Sequence, residues 1–254
     1  MHHDHENEEG PPRYVVISDV HGNLEALQSV LKFCAKLAPF QLYCLGDVVG
    51  YGADPRECLD TLKNEANLIL AGNHDLAVAS IISAEDFNPM ARAAVDWTRD
   101  QLDEDDLTTL SNLPLVYIDG EYCFTHASPI DPMQFNYVKT MDDVATVLAS
   151  IGQRFCFVGH THLPILCRMS EKKGRLEVVN ESKIEIEDGY RYFINVGSTG
   201  QPRDNNPDAC VVILDEEAAS LELLRVPYDI SACQDKIISQ GLPSYLAERL
   251  VLAR

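Results

Sequence analysis

Eight histidines occur in this chain, and the five outside its first ten residues share one kind of neighbourhood. His21 lies in "SDVHGN", His74 in "GNHD", His126 in "THASP", and His160 and His162 in "GHTH", each just past a short apolar run. Oxygen donors stand in equivalent places: Asp19 two residues before His21, Asp47 in "GDVVGYG" and Asn73 before His74. An isolated Asp-x-His turn is also what an N-cap followed by a surface histidine looks like. All five histidines falling in such clusters points instead to a shared site. The donor set is imidazole, carboxylate and amide, with no cysteine at the strand ends, which suits manganese, iron or zinc better than copper or a structural thiolate zinc. It is too large for one ion. A carboxylate such as Asp47 can bridge two cations about 3.5 to 4 Å apart, and such a pair clamps both oxygens of a phosphoryl displacement.

Such residues need elements that end together. Apolar, β-rich segments at 14–18, 41–45, 67–71, 122–125 and 154–158 alternate with helical spacings at 24–37, 54–64, 88–102 and 142–151, the pattern of an α/β sheet. In open α/β sheets ligands bind beyond the carboxyl ends of the strands, so the turns after these segments converge on one crevice. From Pro164 the character changes: "ILCRM", "LEVV", "KIEIE", "YRYFINV", "ACVVIL" and "SLELLRV" read as short strands of a meander or second sheet. Helical spacings at 229–238 and 243–252 close the chain. Without repeats or a Pro/Gly-rich linker, 13–254 reads as one domain behind a disordered acidic tail of 1–12.

A formal charge of −20 repels polyanions, which disfavours nucleic-acid partners and anionic membrane surfaces. No apolar run approaches the roughly 18 residues of a membrane span, so no membrane partner is expected. The opening "MHHDHENEEG" lacks the basic and apolar regions of a secretory signal. Eight scattered cysteines with no C-x-x-C pair read as buried reduced thiols, and the expected location is the cytoplasm. Acidic runs such as "DEDD" at 103–106 read as solvated faces. The oligomeric state is left open.

In the order "DVHGN", "GDVVGYG", "GNHD", "THASP", "GHTH", the clusters from Asp19 to His162 resemble the calcineurin-like metallophosphoesterase superfamily. The resemblance implies a four-layer α/β/β/α sandwich of two mixed sheets with flanking helices. It also implies two divalent or trivalent transition-metal ions (manganese, iron or zinc). Asp19, His21 and His162 would hold one ion and Asn73, His126 and His160 the other, with Asp47 between them. His74 would act near the leaving group, as general acid or by stabilising its charge, and Asn73 would also contact substrate. Attack would come from a hydroxide shared by the ions.

Phosphoprotein phosphatases of this superfamily read GDxVDRG at the second block, whereas Gly50 and Tyr51 stand here in place of the Asp and Arg. That removes a bidentate phosphate clamp and a partner for the histidine. The stretch "FINVGSTGQPRDNNPDAC" resembles bacterial members grouped with diadenosine tetraphosphatases, and its turns predict a loop folded over the metals with Arg203 as a phosphate binder. A hairpin loop with a surface arginine is the other reading. Tyr51 or Arg56 in "GYGADPREC" either lies beside the substrate or belongs to the start of a helix near Pro55. The expected function is two-metal hydrolysis of a phosphate ester or anhydride in a small molecule, such as a dinucleoside polyphosphate or nucleotide phosphodiester. The alternatives are a broad phosphomonoesterase, a phosphoprotein phosphatase and a non-catalytic scaffold of the same fold.

Overall fold

In β1 (Arg13–Ile17) successive side chains enter different cores, as the two-residue period of a strand requires. Val15 and Ile17 pack with Leu27, Val30, Leu59 and Leu62, from helices α1 (Leu24–Cys34) and α2 (Pro55–Glu65). Tyr14 and Val16 point the other way, onto Phe124 of β5 (Tyr122–Thr125) and Phe155 and Phe157 of β6 (Phe155–Val158). A strand buried on both faces has no polar side to show, which is why "YVVI" and "FCFV" read as continuous apolar runs. The computed structural model describes residues 13–37 and 39–254; the expected tail of 1–12 lies outside the described residues.

The first sheet is completed by β2 (Gln41–Cys44), β3 (Leu68–Ile69), β9 (Lys183–Glu185), β11 (Ala209–Asp215) and β12 (Ser220–Val226), in the order β3-β2-β1-β11-β12-β9. The second adds β4 (Val116–Asp119), β7 (Ile165–Ser170), β8 (Leu176–Val179) and β10 (Tyr190–Asn195), in the order β4-β5-β6-β10-β7-β8. Both are mixed. β1 pairs parallel with β2 and antiparallel with β11, and β10 pairs parallel with β6 and antiparallel with β7. The sheets meet face to face through Val212 and Leu214 on one side and Tyr192 and Ile194 on the other. On the outer face of the second sheet, Cys156, Val158 and Phe193 receive Val144, Val147 and Leu148 of α6 (Met141–Ser150). The layers therefore run α/β/β/α.

The strands beyond Pro164 do not form a sheet of their own. β7, β8 and β10 extend the second sheet, while β9, β11 and β12 extend the first, so each sheet draws on both halves of the chain. Helix α5 (Glu104–Ser111) goes unforeseen, as does β4, and the short helix α3 (Asn73–Val78) opens on the "GNHD" cluster itself. The "DEDD" run is a helix start, not simply a solvated face: the Asp103 side chain accepts from the backbone N–H of Asp105 and Asp106, and Asp106 is buried. The helix expected over 24–37 ends at Cys34 and tightens into a 3₁₀ turn, Ala35–Leu37. Two closing helices, α7 (Ile230–Ser239) and α8 (Ser244–Leu252), pack with α4 (Pro89–Gln101) around Tyr51. All eight cysteines are buried free thiols.

Candidate metal centre

The turns after β1 and β2 run side by side and are bonded to each other through their backbones. Asp19 N–H donates to Gly46 O, His21 N–H to Asp47 O and Gly22 N–H to Val48 O, each at 2.9 Å. This brings Asp19, His21 and Asp47 to one point although 26 residues of chain separate the two turns. Their backbones are strained: Asp19, His21, Asp47, His160 and His162 all have φ between +51 and +64, a region that side-chain-bearing residues occupy at a cost of about 1–3 kcal/mol each. Strain of this kind clustered on potential ligands is a mark of a site built for geometry over stability.

Two groups of three buried residues result, Asp19 with His21 and His162, and Asp47 with His126 and His160. Their atoms interlock across the groups. Asp47 Oδ2 lies 3.6 Å from His21 Nε2 and 3.4 Å from His126 Nε2, and His162 Nε2 lies 3.2 Å from both Asp19 Oδ1 and His21 Nε2. Donor atoms sharing a cation at about 2.1 Å stand roughly 3–3.5 Å apart, so the spacing fits ions held between them. Three of the imidazoles are already oriented. His21 Nδ1 donates to Val49 O, His126 Nδ1 to Leu45 O and His162 Nδ1 to Gln201 O, at 3.1, 3.0 and 2.6 Å. A carbonyl only accepts, so each Nδ1 carries a proton and each Nε2 faces inward. Asp19 Oδ1, Asn73 Oδ1 and His126 Nε2 are buried without any hydrogen-bond partner. Unsatisfied buried donors and acceptors are costly, and cations at these atoms would satisfy them.

The electrostatics of the protein alone agree. Burial pushes the imidazoles of His21, His160 and His162 down, His160 to about 3, so all three are neutral ligands at neutral pH. His126 goes the other way: burial lowers it, but the nearby Asp47 and Asp19 carboxylates outweigh this and raise it to about 9. Burial likewise pushes both carboxyls up, yet the imidazoles around them, His126 acting on both, outweigh it and hold them well below the usual range. Two ionised carboxylates beside neutral imidazoles form a binding-ready set, and a cation at His126 displaces a single proton.

Asn73 and His74 open the short helix α3, where His74 N–H donates to Asp47 Oδ1 at 2.8 Å. Asp75 accepts from Gly72 and Val49 N–H, tying α3 to the Asp47 turn; burial and the nearby Asp47 charge raise its carboxyl to about 7. His74 is buried with Nδ1 unpartnered, its ring 4.9 Å from that of His21 and 4.4 Å from that of Tyr51, and burial lowers it to about 4. Gly50 explains its freedom: at φ +86 it could bear a side chain only under strain, and a Cβ there would fall 2.6 Å from His74 Nδ1.

The segment after β10 lies on the centre. Thr199 and Gly200 N–H donate to Ser18 O and Asp19 O, Ser198 Oγ donates to Asp19 O, and Arg203 N–H donates to His162 O. A Cβ on Gly200 would stand 1.8 Å from Val20 O, so only glycine permits this approach. The Arg203 guanidinium consequently stands beside Tyr51, with Nη2 on Gln201 Oε1 at 2.9 Å and a buried, unpartnered Nε. Tyr51 is part of the site, but Arg56 is not: it pairs with Asp103 and Asp106 at 2.6 and 2.8 Å, at the start of α5.

Beside the two groups opens a cleft of about 510 Å³ whose lining includes Tyr51, His74, Phe87, Gln134, Tyr137 and His160. Tyr137 is 49% exposed and stacks on His160 with ring centres 4.1 Å apart. Sequence reasoning passes over Phe87, Gln134 and Tyr137, which sit in segments without periodicity or a motif.

The profile of the calcineurin-like phosphoesterase superfamily domain matches residues 13–219. An uncharacterized protein of Methanocaldococcus jannaschii is 37% identical over 243 residues, covering 94% of this chain and 97% of that one. The crystal structure of a metallophosphoesterase from Sphaerobacter thermophilus superposes with a TM-score of 0.84 at 36% identity, over 96% of this chain and 100% of that one. The symmetrical bis(5'-nucleosyl)-tetraphosphatase of Actinobacillus pleuropneumoniae is 34% identical over 134 residues, half of this chain and 48% of that protein. With its fold shared along nearly the whole length and the family profile running through both ligand groups, the chain belongs to the calcineurin-like phosphoesterase superfamily and is a metal-dependent hydrolase.

Proposed function

We propose that this protein hydrolyses a phosphoanhydride or phosphodiester bond in a small nucleotide-like molecule at a two-ion centre. The carrying observation is the pair of buried ligand groups meeting at Asp47 Oδ2, beside an aromatic-lined cleft of about 510 Å³. Asp19, His21 and His162 would hold one ion, Asn73, His126 and His160 the other, and Asp47 would contribute to both. The donor set favours manganese, iron or zinc. Bound ions would supply Lewis acidity toward the phosphoryl oxygens and a water of lowered pKa. The chain's residues do the rest. Asn73 fixes a phosphoryl oxygen through its amide N–H, and Arg203 takes a neighbouring phosphate. His74, neutral and without the carboxylate that Gly50 excludes, donates its imidazole N–H to the leaving oxygen. Phe87 and Tyr137 line the cleft; His160 covers one face of Tyr137 and Lys139 Nζ lies 3.8 Å from its ring centre, so a planar base stacks on Tyr137 when the flexible Lys139 side chain swings aside. The partial match to a bis(5'-nucleosyl)-tetraphosphatase supports a dinucleoside polyphosphate. Free thiols throughout support a reducing, cytoplasmic setting.

The test is a screen of protein reloaded separately with manganese, iron and zinc, against p-nitrophenyl phosphate, bis-p-nitrophenyl phosphate, diadenosine tetraphosphate and a phosphopeptide. The highest kcat/KM is expected for the dinucleotide. A preference for simple monoesters would make the protein a broad phosphomonoesterase, and a preference for the phosphopeptide would overturn the nucleotide reading.

A further inference from the structure

Seven of the twelve arginines of this acidic chain find a carboxylate: Arg13, Arg56, Arg99, Arg154, Arg168, Arg175 and Arg225. Arg92, Arg191, Arg203, Arg249 and Arg254 have no acidic side-chain partner among the described residues, and of these Arg203 and Arg249 share one place, around Tyr51. Each guanidinium carbon is 5.9 Å from the centre of the Tyr51 ring, which is itself 4.6 Å from the ring of His21. Two cations that repel each other need a reason to share a half-buried site in a protein with charges of the other sign to spare.

Both are held in place. Gln201 Oε1 fixes Nη2 of Arg203, and the buried Nε of Arg203 has no partner. Arg249, from α8, lies between the rings of Tyr51 and Tyr245, with its Nε donating to Arg254 O at 2.7 Å. Its Nη1 and Nη2 have no hydrogen-bond partner among the described residues. Burial lowers its pKa and the Arg203 charge lowers it further, so an anion between them would relieve the repulsion. Leu246 and Leu250 bury the inner face of α8 in the same cluster as Tyr51, which fixes Arg249 relative to the metal centre.

We propose that Arg203 and Arg249, arranged around Tyr51, form a second anion subsite that takes the phosphoryl group next to the one under attack. This rests on the two-ion reading above and extends it: the C-terminal helix makes the enzyme selective for phosphoanhydrides over monoesters. Paired guanidiniums suit this task because each presents parallel N–H groups to phosphate oxygens.

Two probes that the enzyme cannot hydrolyse separate the subsite from the metals: methylphosphonate, with one anionic group, and methylenediphosphonate, with two. Calorimetric titration of both into metal-loaded wild type, R249Q, R249K, R203Q and the surface control R175Q gives the answer. R249Q and R203Q are each expected to weaken methylenediphosphonate by about tenfold or more and methylphosphonate by less than about threefold, the scale of one charge-assisted hydrogen-bonding group. R249K should recover part of the loss by restoring charge without the planar fork, and R175Q should match wild type. Metal content and melting temperature are measured on every sample; if R249Q does not fold, R249K and R203Q carry the same contrast. Equal weakening of both probes, or of neither, overturns the subsite. A wild type that binds the diphosphonate through both arginines yet hydrolyses no phosphate compound leaves the subsite standing and refutes the proposed function.

Discussion

Asp47→Asn should weaken both metal ions at once. The substitution keeps the side chain's shape and the bond from His74 N–H to Oδ1. It removes one negative charge from a point 3.6 Å from His21 Nε2 and 3.4 Å from His126 Nε2, nitrogens of different ligand groups. At an effective dielectric constant of about 20, unit charges about 4 Å apart attract by about 4 kcal/mol. That is roughly a thousandfold in each dissociation constant, and a dication in direct contact loses no less. The assay strips the protein with a chelator, reloads it, counts ions per chain by mass spectrometry and measures affinities by competition with a chromophoric chelator. His21→Ala is the contrast, since it removes a donor from one group and should weaken one ion far more than the other. The reasoning is refuted if Asp47→Asn weakens only one ion, or weakens neither beyond the roughly tenfold expected of a residue that merely supports a ligand. The metal-free protein adds a second readout. His126 is raised to about 9 by Asp47 despite its burial. A raised folded-state pKa gives stability that is complete below the unfolded value and disappears as pH climbs through the folded one. Metal-free wild type should therefore lose on the order of 3 kcal/mol between about pH 6.5 and 9, and Asp47→Asn should show a shallower decline in denaturant titrations.

His74→Asn should retain both ions yet lose about a hundredfold or more in turnover on substrates with poor leaving groups, and less on an activated aryl phosphate; equal losses would remove the donor role, and lost metal would make His74 a ligand. Tyr137→Ala should raise KM for a dinucleotide by about 5- to 100-fold, the value of one base–aromatic stack, with a smaller effect on inorganic tripolyphosphate; comparable changes for both would show that no base sits there. Asp106→Ala breaks the reciprocal cap of α5 and leaves Arg56 with Asp103 alone, so urea denaturation should show a loss of about 1–3 kcal/mol with ion content unchanged.

What could be read without the fold was what is local. Asp19, His21, Asp47, Asn73, His126, His160 and His162 announce themselves because each sits on a turn directly after its own apolar segment, and the residue types alone name the chemistry. The strand and helix periods fix which face of each element is buried, so the layered α/β character follows from them. Partner choice does not. Val211 to Leu214 and Tyr192 to Ile194 are apolar enough to be interior strands of any sheet, and only pairing with β1 and β6 sends β11 to one sheet and β10 to the other. Helix α5 hides in a charge run. Arg249 carries no local mark at all: it is one cation on an amphipathic helix, 198 residues along the chain from Tyr51, and becomes part of a site because burial of Leu246 and Leu250 rotates its side of α8 onto that ring. Charge and residue type are properties of the chain, but the meeting of two charges is decided by hydrophobic burial elsewhere on the elements that carry them.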